Sequence, residues 1–293
     1  MADDTHPRRR IIRGILYQIA LLPPTVMLLT AALVYTRTHP LPLPQPSDPL
    51  MQGIYYEPIN LLTEDDVRLD AWLVPALDAQ QVTADGDQSL HERFPAVVLV
   101  HGFGMSRQQV LPLVAPLHQR GWVVLALAMR GSGSVSAGQT FGLNESLDVK
   151  AAVELLRRRP YVDAAHIAVV GIGSGANAAI IAADRDPALT ALVLDSPTQT
   201  GDQALLQHIV PASPLLRWWL LPVCKVAFTV GYGVDVDDLD VSQYGHVLAA
   251  RPTLLMRWPQ DARGDLPPQR VTQITQFLDN VSGRSSGHAD VQP

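Results

Sequence analysis

Little in this chain marks a reactive centre by composition. Of 293 residues only one is cysteine, so Cys224 has no intrachain disulfide partner and says nothing about the redox compartment. A lone thiol of this kind reads as a small buried apolar side chain. No basic excess exists either: 22 Lys and Arg stand against 28 Asp and Glu, a formal net charge of -6, which excludes nucleic acid as a natural partner. The histidines offer no pair at metal-ligand spacing beside a carboxylate cluster, so neither a metal nor any other cofactor is expected. Internal repeats are absent, and low-complexity sequence is confined to a proline-rich stretch near the amino end and a small polar tail.

What the chain does have is a long apolar run. Between Arg13 and Arg37 lie 23 residues without a charge, about 34 Å as a helix at 1.5 Å per residue, enough for a bilayer core of about 30 Å. The run is too long for the apolar core of a signal peptide and no small-residue cleavage site follows it. Residues 14–36 therefore read as a retained transmembrane helix, kinked at Pro23-Pro24. Arg8, Arg9, Arg10 and Arg13 precede it while only Arg37 closely follows, which predicts a cytoplasmic basic tail over 1–13 and an extracytoplasmic remainder. The alternating prolines of 37–52 predict an extended stalk that holds a domain off the membrane.

From Gly53 the pattern changes to strands alternating with amphipathic helices. Ile59–Leu62 and Val67–Val74 flank a turn-like Glu64-Asp65-Asp66 and predict an opening hairpin. Residues 77–93 read as a surface loop. Pro95–Val100 is a continuous apolar run, as expected of a strand buried on both faces. Helix over 108–119, strand over 123–128, helix over 146–158, strand over 167–171, a helix after Gly175 and strand over 191–195 follow in turn. This order predicts an α/β domain over 53–282 with a mostly parallel sheet and helices on both faces, preceded by one transmembrane helix. Residues 199–247 interrupt the alternation. The strongly apolar 214–230 carries Arg217 and Lys225, so it reads as a cap near the membrane surface rather than a second span. A strand near 251–258 and a helix over 268–281 close the domain, and 283–293 reads as a disordered tail.

The densest local signal is Ala168-Val-Val-Gly171-Ile-Gly173-Ser174-Gly175, a strand, a glycine-rich turn and a helix start. A nucleophile elbow, G-x-S-x-G, uses such a turn to lift a serine above the sheet edge, with glycines where a Cβ would clash. Here the position of the serine is Gly173. Ser174 comes one residue late, and the motif does not slide with it, because Ile172 and Ala176 stand where the glycines would then fall.

Four segments give the chain from Gly53 to about Val281 its resemblance to the α/β-hydrolase family, in its membrane-anchored or peptidase-like esterase branch. Val100-His101-Gly102-Phe103-Gly104 is similar to the family's oxyanion segment. Met129-Arg130-Gly131-Ser132-Gly133-Ser134 resembles its D-x-R-G-x-G-x-S turn with Ala128 in place of the Asp. Thr140-Phe141-Gly142 followed by Glu145 to Val149 is the third, and the elbow with Leu194-Asp195-Ser196-Pro197 after it is the fourth. The resemblance implies a serine hydrolase of ester or peptide bonds, with an oxyanion pocket at His101, Gly102, Phe103, Gly171 and Gly175.

The triad such chemistry requires is incomplete. The nucleophile position, Gly173, has no side chain. The acid position best matches Asp261. The histidine has no counterpart: the helix at Pro267-Pro268 follows almost directly, an alternative alignment puts Arg263-Gly264-Asp265 there, and the last strand is missing. His288 lies in the tail without a scaffold. His101 belongs to the oxyanion segment, and His118, His166, His208 and His246 read as surface or capping residues. The leading expectation is a membrane-anchored, catalytically degenerate hydrolase fold. Backbone amides of 173–176 at its helix start would hold a small acyl or anionic ligand. A second reading is an active esterase using Ser174. A third, from a different class, is a dinucleotide site on Gly171, Gly173 and Ala176, with Asp195 ending the next strand.

Overall fold

Among the described residues, seven strands form one sheet in the order β1-β2-β4-β3-β5-β6-β7. The structure is a computed structural model that describes residues 6–41, 47–77, 92–132, 137–211, 213–257 and 266–283. Strands β1 (Glu57–Leu62) and β2 (Arg68–Val74) make the expected antiparallel hairpin, and β2 pairs antiparallel with β4 (Val123–Leu127). The other pairings are parallel, joining β3 (Phe94–Val100), β4, β5 (Val162–Ile172), β6 (Ala191–Asp195) and β7 (Thr253–Met256). Every position of β3, β4 and β6 is buried, which is why these strands read as unbroken apolar runs rather than as alternation.

Two cores lie on opposite faces of the sheet. Ala96, Val98 and Val100 of β3 point into one with α3 (Glu145–Arg157) and α4 (Ser174–Arg185), while Val97 and Leu99 point into the other with α2 (Leu111–His118) and α8 (Pro268–Ser282). The helix expected over 108–119 starts late. Residues Arg107–Gln109 form a 3-10 turn capped by Ser106, and the α-helix begins at Leu111, followed by Pro112, whose missing N–H costs nothing in a first turn. Beyond β7 the described chain resumes at Leu266 and enters α8, so no eighth strand exists among the described residues.

The cap over 199–247 contains α5 (Gly201–His208), α6 (Pro214–Tyr232), two 3-10 turns and α7 (Gly245–Ala249), which starts within it. A third core forms beneath it, where Phe141, Leu205, Cys224 and Phe228 meet Val34 of α1 (His6–Thr38). Among the described residues one helix, Ile12–Thr38, is long and apolar enough to cross a membrane. Its two ends differ. Residues 12–25 are exposed all round, whereas Thr30, Val34 and Thr38 are buried and Met27 and Leu33 partly so. They face α6, and at the far end the hydroxyls of Thr38 and Tyr232 share a hydrogen bond.

The spacer expected over 37–52 is thereby shortened at both ends. The helix runs on to Thr38 and stops ahead of Pro40, whose preceding residue is disfavoured in helical conformation. At the other end Pro49–Gln52 is a 3-10 turn capped by Asp48, and Ser47 accepts a hydrogen bond from the Gln108 side chain. The domain is held against α1 rather than off it.

Candidate active site

A single residue joins β5 to α4, and it is Gly173. Its φ of 57° and ψ of -120° lie in a region that side-chain-bearing residues adopt only under strain. Its N–H donates to the Asp195 carbonyl at 2.8 Å, tying the turn to the end of β6. Space around it is open: a Cβ there would meet only the Gly102 Cα, at 3.8 Å. The flanking glycines differ. A Cβ on Gly171 would come within 2.4 Å of the Gly175 carbonyl oxygen, and one on Gly175 within 2.5 Å of that of His101. Strand and helix touch at those two positions and require glycine, whereas the turn between them has room for a side chain and carries none.

Ser174 opens α4 and is mostly buried, at 8 % exposure. Of the amides expected to form an anion site, Gly173 is committed to Asp195 and Ala176 donates to the Gly173 carbonyl at 3.0 Å. Those of Ser174 and Gly175 find no acceptor among the described residues, as expected for the first turn of a helix. The Phe103 amide has none either, while its neighbours are taken, Gly102 N–H by Gln109 Oε1 and Gly104 N–H by Gln139 Oε1, each at 2.8 Å.

His101 is a structural residue. Its Nε2 accepts from the Met129 N–H at 3.2 Å, which leaves Nδ1 to donate to the Gly102 carbonyl at 3.0 Å. Burial pushes its pKa down to about 4, so the ring is neutral at pH 7 and its only basic nitrogen is occupied. His118, His166 and His246 bond to the Pro75 carbonyl, Asp163 and Asp184 respectively. Asp261 and His288 lie outside the described residues.

Around the turn lies a cavity of about 820 Å³. Gly102, Phe103, Gly173 and Ser174 line its floor, and Ile172, Leu194, Leu255 and Leu266 contribute apolar wall. Sequence reasoning missed its rim. His208, assigned a helix-end role, does end α5 but also lines the cavity, its ring 4.5 Å from that of Phe103 and 5.7 Å from that of Phe141. Arg37 from the end of α1 and Arg257 after β7 line it too, and among the described residues no carboxylate does. Only tertiary packing of the cap and α1 brings these together, so no local signal announces them.

Asp195, at the end of β6, is fully buried and ion-paired with Arg270 of α8 while accepting from the Ser196 hydroxyl at 2.9 Å. A carboxylate does stand one strand from the elbow, but its partner is an arginine, which cannot shuttle a proton near neutral pH. The same pairing leaves Asp195 poorly suited to a ribose hydroxyl. Gly171 is explained by the approach of this chain's own helix, so the dinucleotide reading gains no support from the geometry.

The remaining family-like segments are structural. Arg130, 3 % exposed, donates to Asp148 Oδ1 at 2.7 Å and to Asp65 Oδ2 at 2.7 Å. The guanidinium holds the Asp65 carboxyl below its ordinary range. Buried Glu145 accepts from the Thr140 N–H and hydroxyl, both at 2.6 Å, and from the Gly142 N–H at 2.9 Å. Gly133 and Ser134 lie outside the described residues.

Residues 91–250 match the family model of serine aminopeptidase S33. No curated protein sequence matches the chain. Among solved structures it is similar to the esterase Pf2001 of Pyrococcus furiosus, at 20% identity and a TM-score of 0.57 over 83% of this chain and 98% of that one. An α/β hydrolase from Vibrio vulnificus is similar at 15% identity and TM-score 0.57, over 89% of this chain and 94% of that one. The α/β hydrolase GrgF of a Penicillium species is 15% identical with TM-score 0.51, over 78% of this chain and the whole of that one. At such identities these likenesses speak for the fold.

Proposed function

Because the chain belongs to the serine aminopeptidase S33 family of α/β hydrolases, we propose that it is a catalytically degenerate member, a membrane-anchored protein that binds a small acyl or anionic ligand at the elbow without hydrolysing it. The observation that carries this reading is Gly173. It occupies the strand-to-helix turn at a backbone conformation that would strain any residue with a side chain, with open space where a Cβ would stand, so on this reading the frame for a nucleophile is kept and the nucleophile is not. Acyl transfer also needs a base beside the nucleophile. His101 is neutral and engaged, and the family's final strand has no counterpart among the described residues.

What the site retains is suited to binding. Amides of Phe103, Ser174 and Gly175 lie at the floor of the cavity or beside it, Arg37 and Arg257 line it, and apolar side chains complete the wall. A carboxylate or phosphate fits donors of this kind at a helix start. In this proposal α1 crosses the bilayer with its amino end in the cytoplasm, held there by the arginines before Gly14.

The test is covalent labelling of the full chain by a fluorophosphonate probe. No labelling above a heat-denatured control is expected. A second reading has one observation in its favour, since Ser174 and His208 line the same cavity. Robust labelling lost in both Ser174→Ala and His208→Gln establishes that second reading and overturns the first.

A further inference from the structure

The first turns of α6 carry an apolar surface that no described residue of the domain covers. Residues 214–219 are all exposed, among them Leu215 at 84 % and Trp218 at 87 %, with Leu216 and Trp219 beside them. The length of α1 says what covers this end. Its stretch free on every side, residues 12–25, rises about 21 Å at 1.5 Å per residue. A hydrocarbon core is about 30 Å thick, so some 9 Å of bilayer must surround the part of α1 that already has α6 packed along it. From Ile12, roughly twenty residues are needed, which end near Ala31.

The pairing of the two helices fixes what else lies at that depth. They meet at Thr38 and Tyr232, and the covered face of α1 extends back from there to Met27, so α6 runs alongside with the two carboxyl ends together. Counting down residue for residue from that contact puts Cys224 level with Thr30, both buried, and Trp218 level with Pro24. Lys225, ion-paired with Asp202 at 2.5 Å and Asp237 at 2.6 Å, comes level with Ala31 and sets the upper limit.

We propose that the amino-terminal end of α6 enters the bilayer beside α1 from the side of the domain, with Leu215, Leu216, Trp218 and Trp219 in lipid hydrocarbon. The cap is then a second membrane contact beside the span. By the same count Arg217 comes level with Pro23, about 12 Å below Ala31, beyond the reach of its stem to the phosphates, and its charge is what this placement costs. The inference rests on the reading of α1 as an anchor.

The experiment reconstitutes the full chain into phosphatidylcholine vesicles whose acyl chains carry bromine, a collisional quencher confined to hydrocarbon. Flotation with the vesicles reports the anchor, and tryptophan emission reports α6. Trp72 and Trp122 are buried in the domain. The expected result is bromine quenching of roughly two fifths of the emission, two indoles of the five, and its loss in a Trp218→Phe, Trp219→Phe variant that still floats. Wild type that floats yet is quenched no more than the variant overturns the inference and leaves the anchor standing. A chain that does not float overturns the anchor, and this inference with it. Disulfide cross-linking between copies carrying Trp218→Cys, without quenching of the wild type, assigns the surface to a second copy and likewise overturns it.

Discussion

Substituting the three elbow glycines separates space from backbone strain. At Gly173 a Cβ meets nothing nearer than 3.8 Å, so Gly173→Ala or Gly173→Ser is opposed only by the positive φ of 57°, a cost of about 1–3 kcal/mol. At Gly171 the new Cβ falls 2.4 Å from one backbone atom and 2.6 Å from two more, so strand and helix must part. Gly171→Ala is expected to exceed Gly173→Ala by at least about 2 kcal/mol, beyond the usual range for overpacking. At roughly 2–4 °C per kcal/mol for a domain of this size, thermal unfolding of the detergent-solubilised chain resolves the difference. On the proposed reading, Gly173→Ser places a hydroxyl at the turn with no base to activate it. Its turnover of a short acyl ester should lie about 10⁴- to 10⁶-fold below an intact triad. Equal destabilisation by Gly171→Ala and Gly173→Ala refutes the claim that the turn alone has room. Rapid fluorophosphonate labelling of Gly173→Ser that vanishes on adding His208→Gln refutes the absence of a base.

Other measurements bear on neighbouring features. Arg270→Ala leaves the buried Asp195 carboxylate without its cation and is expected to cost about 3–5 kcal/mol, read as a shift in denaturation midpoint; no shift refutes the buried pairing. The depressed pKa of His101, about 4, lies below the ordinary value near 6.5, so the unfolded chain binds the extra proton between those pH values and stability falls as pH drops through that window. The loss is of order 3 kcal/mol by pH 4, and His101→Gln should flatten that part of the profile; an unchanged slope removes His101 as its source. Phosphate or acetate should raise the unfolding temperature, by the equivalent of about 2.7 kcal/mol at a hundred times Kd, and a midpoint indifferent to both anions counts against the elbow as a ligand site.

The parts of the fold legible in sequence are those set by local chemistry. Val97 to Val100 sit in an apolar run with no polar face, and the order of strands and helices follows from such runs. Gly171 and Gly175 announce a close strand-to-helix turn because a Cβ on the first would strike Gly175 and Ala176 and one on the second would strike Val100 and His101. The rest depends on packing between distant segments. Nothing in the local sequence of Arg270 reveals that it crosses to Asp195, and His208 gives no sign of its stacking on Phe103. Proline content alone does not place the ends of the spacer, because its neighbours on either side are held by contacts that composition does not show. Thr38 is hydrogen-bonded into α1, and Pro49 starts a capped turn on the domain.

The clamp of Arg130 on Asp148 and Asp65, with Glu145 closing the loop before α3, is joinery. It fastens the β1–β2 hairpin and the approach to a helix onto the carboxyl edge of the sheet, and none of its bonds points at a substrate. In this chain these bonds are formed with glycine at the elbow, so they register how the domain is assembled and not what stands at position 173. A signature built on them therefore identifies the carpentry, and the trade practised inside has to be learned from position 173.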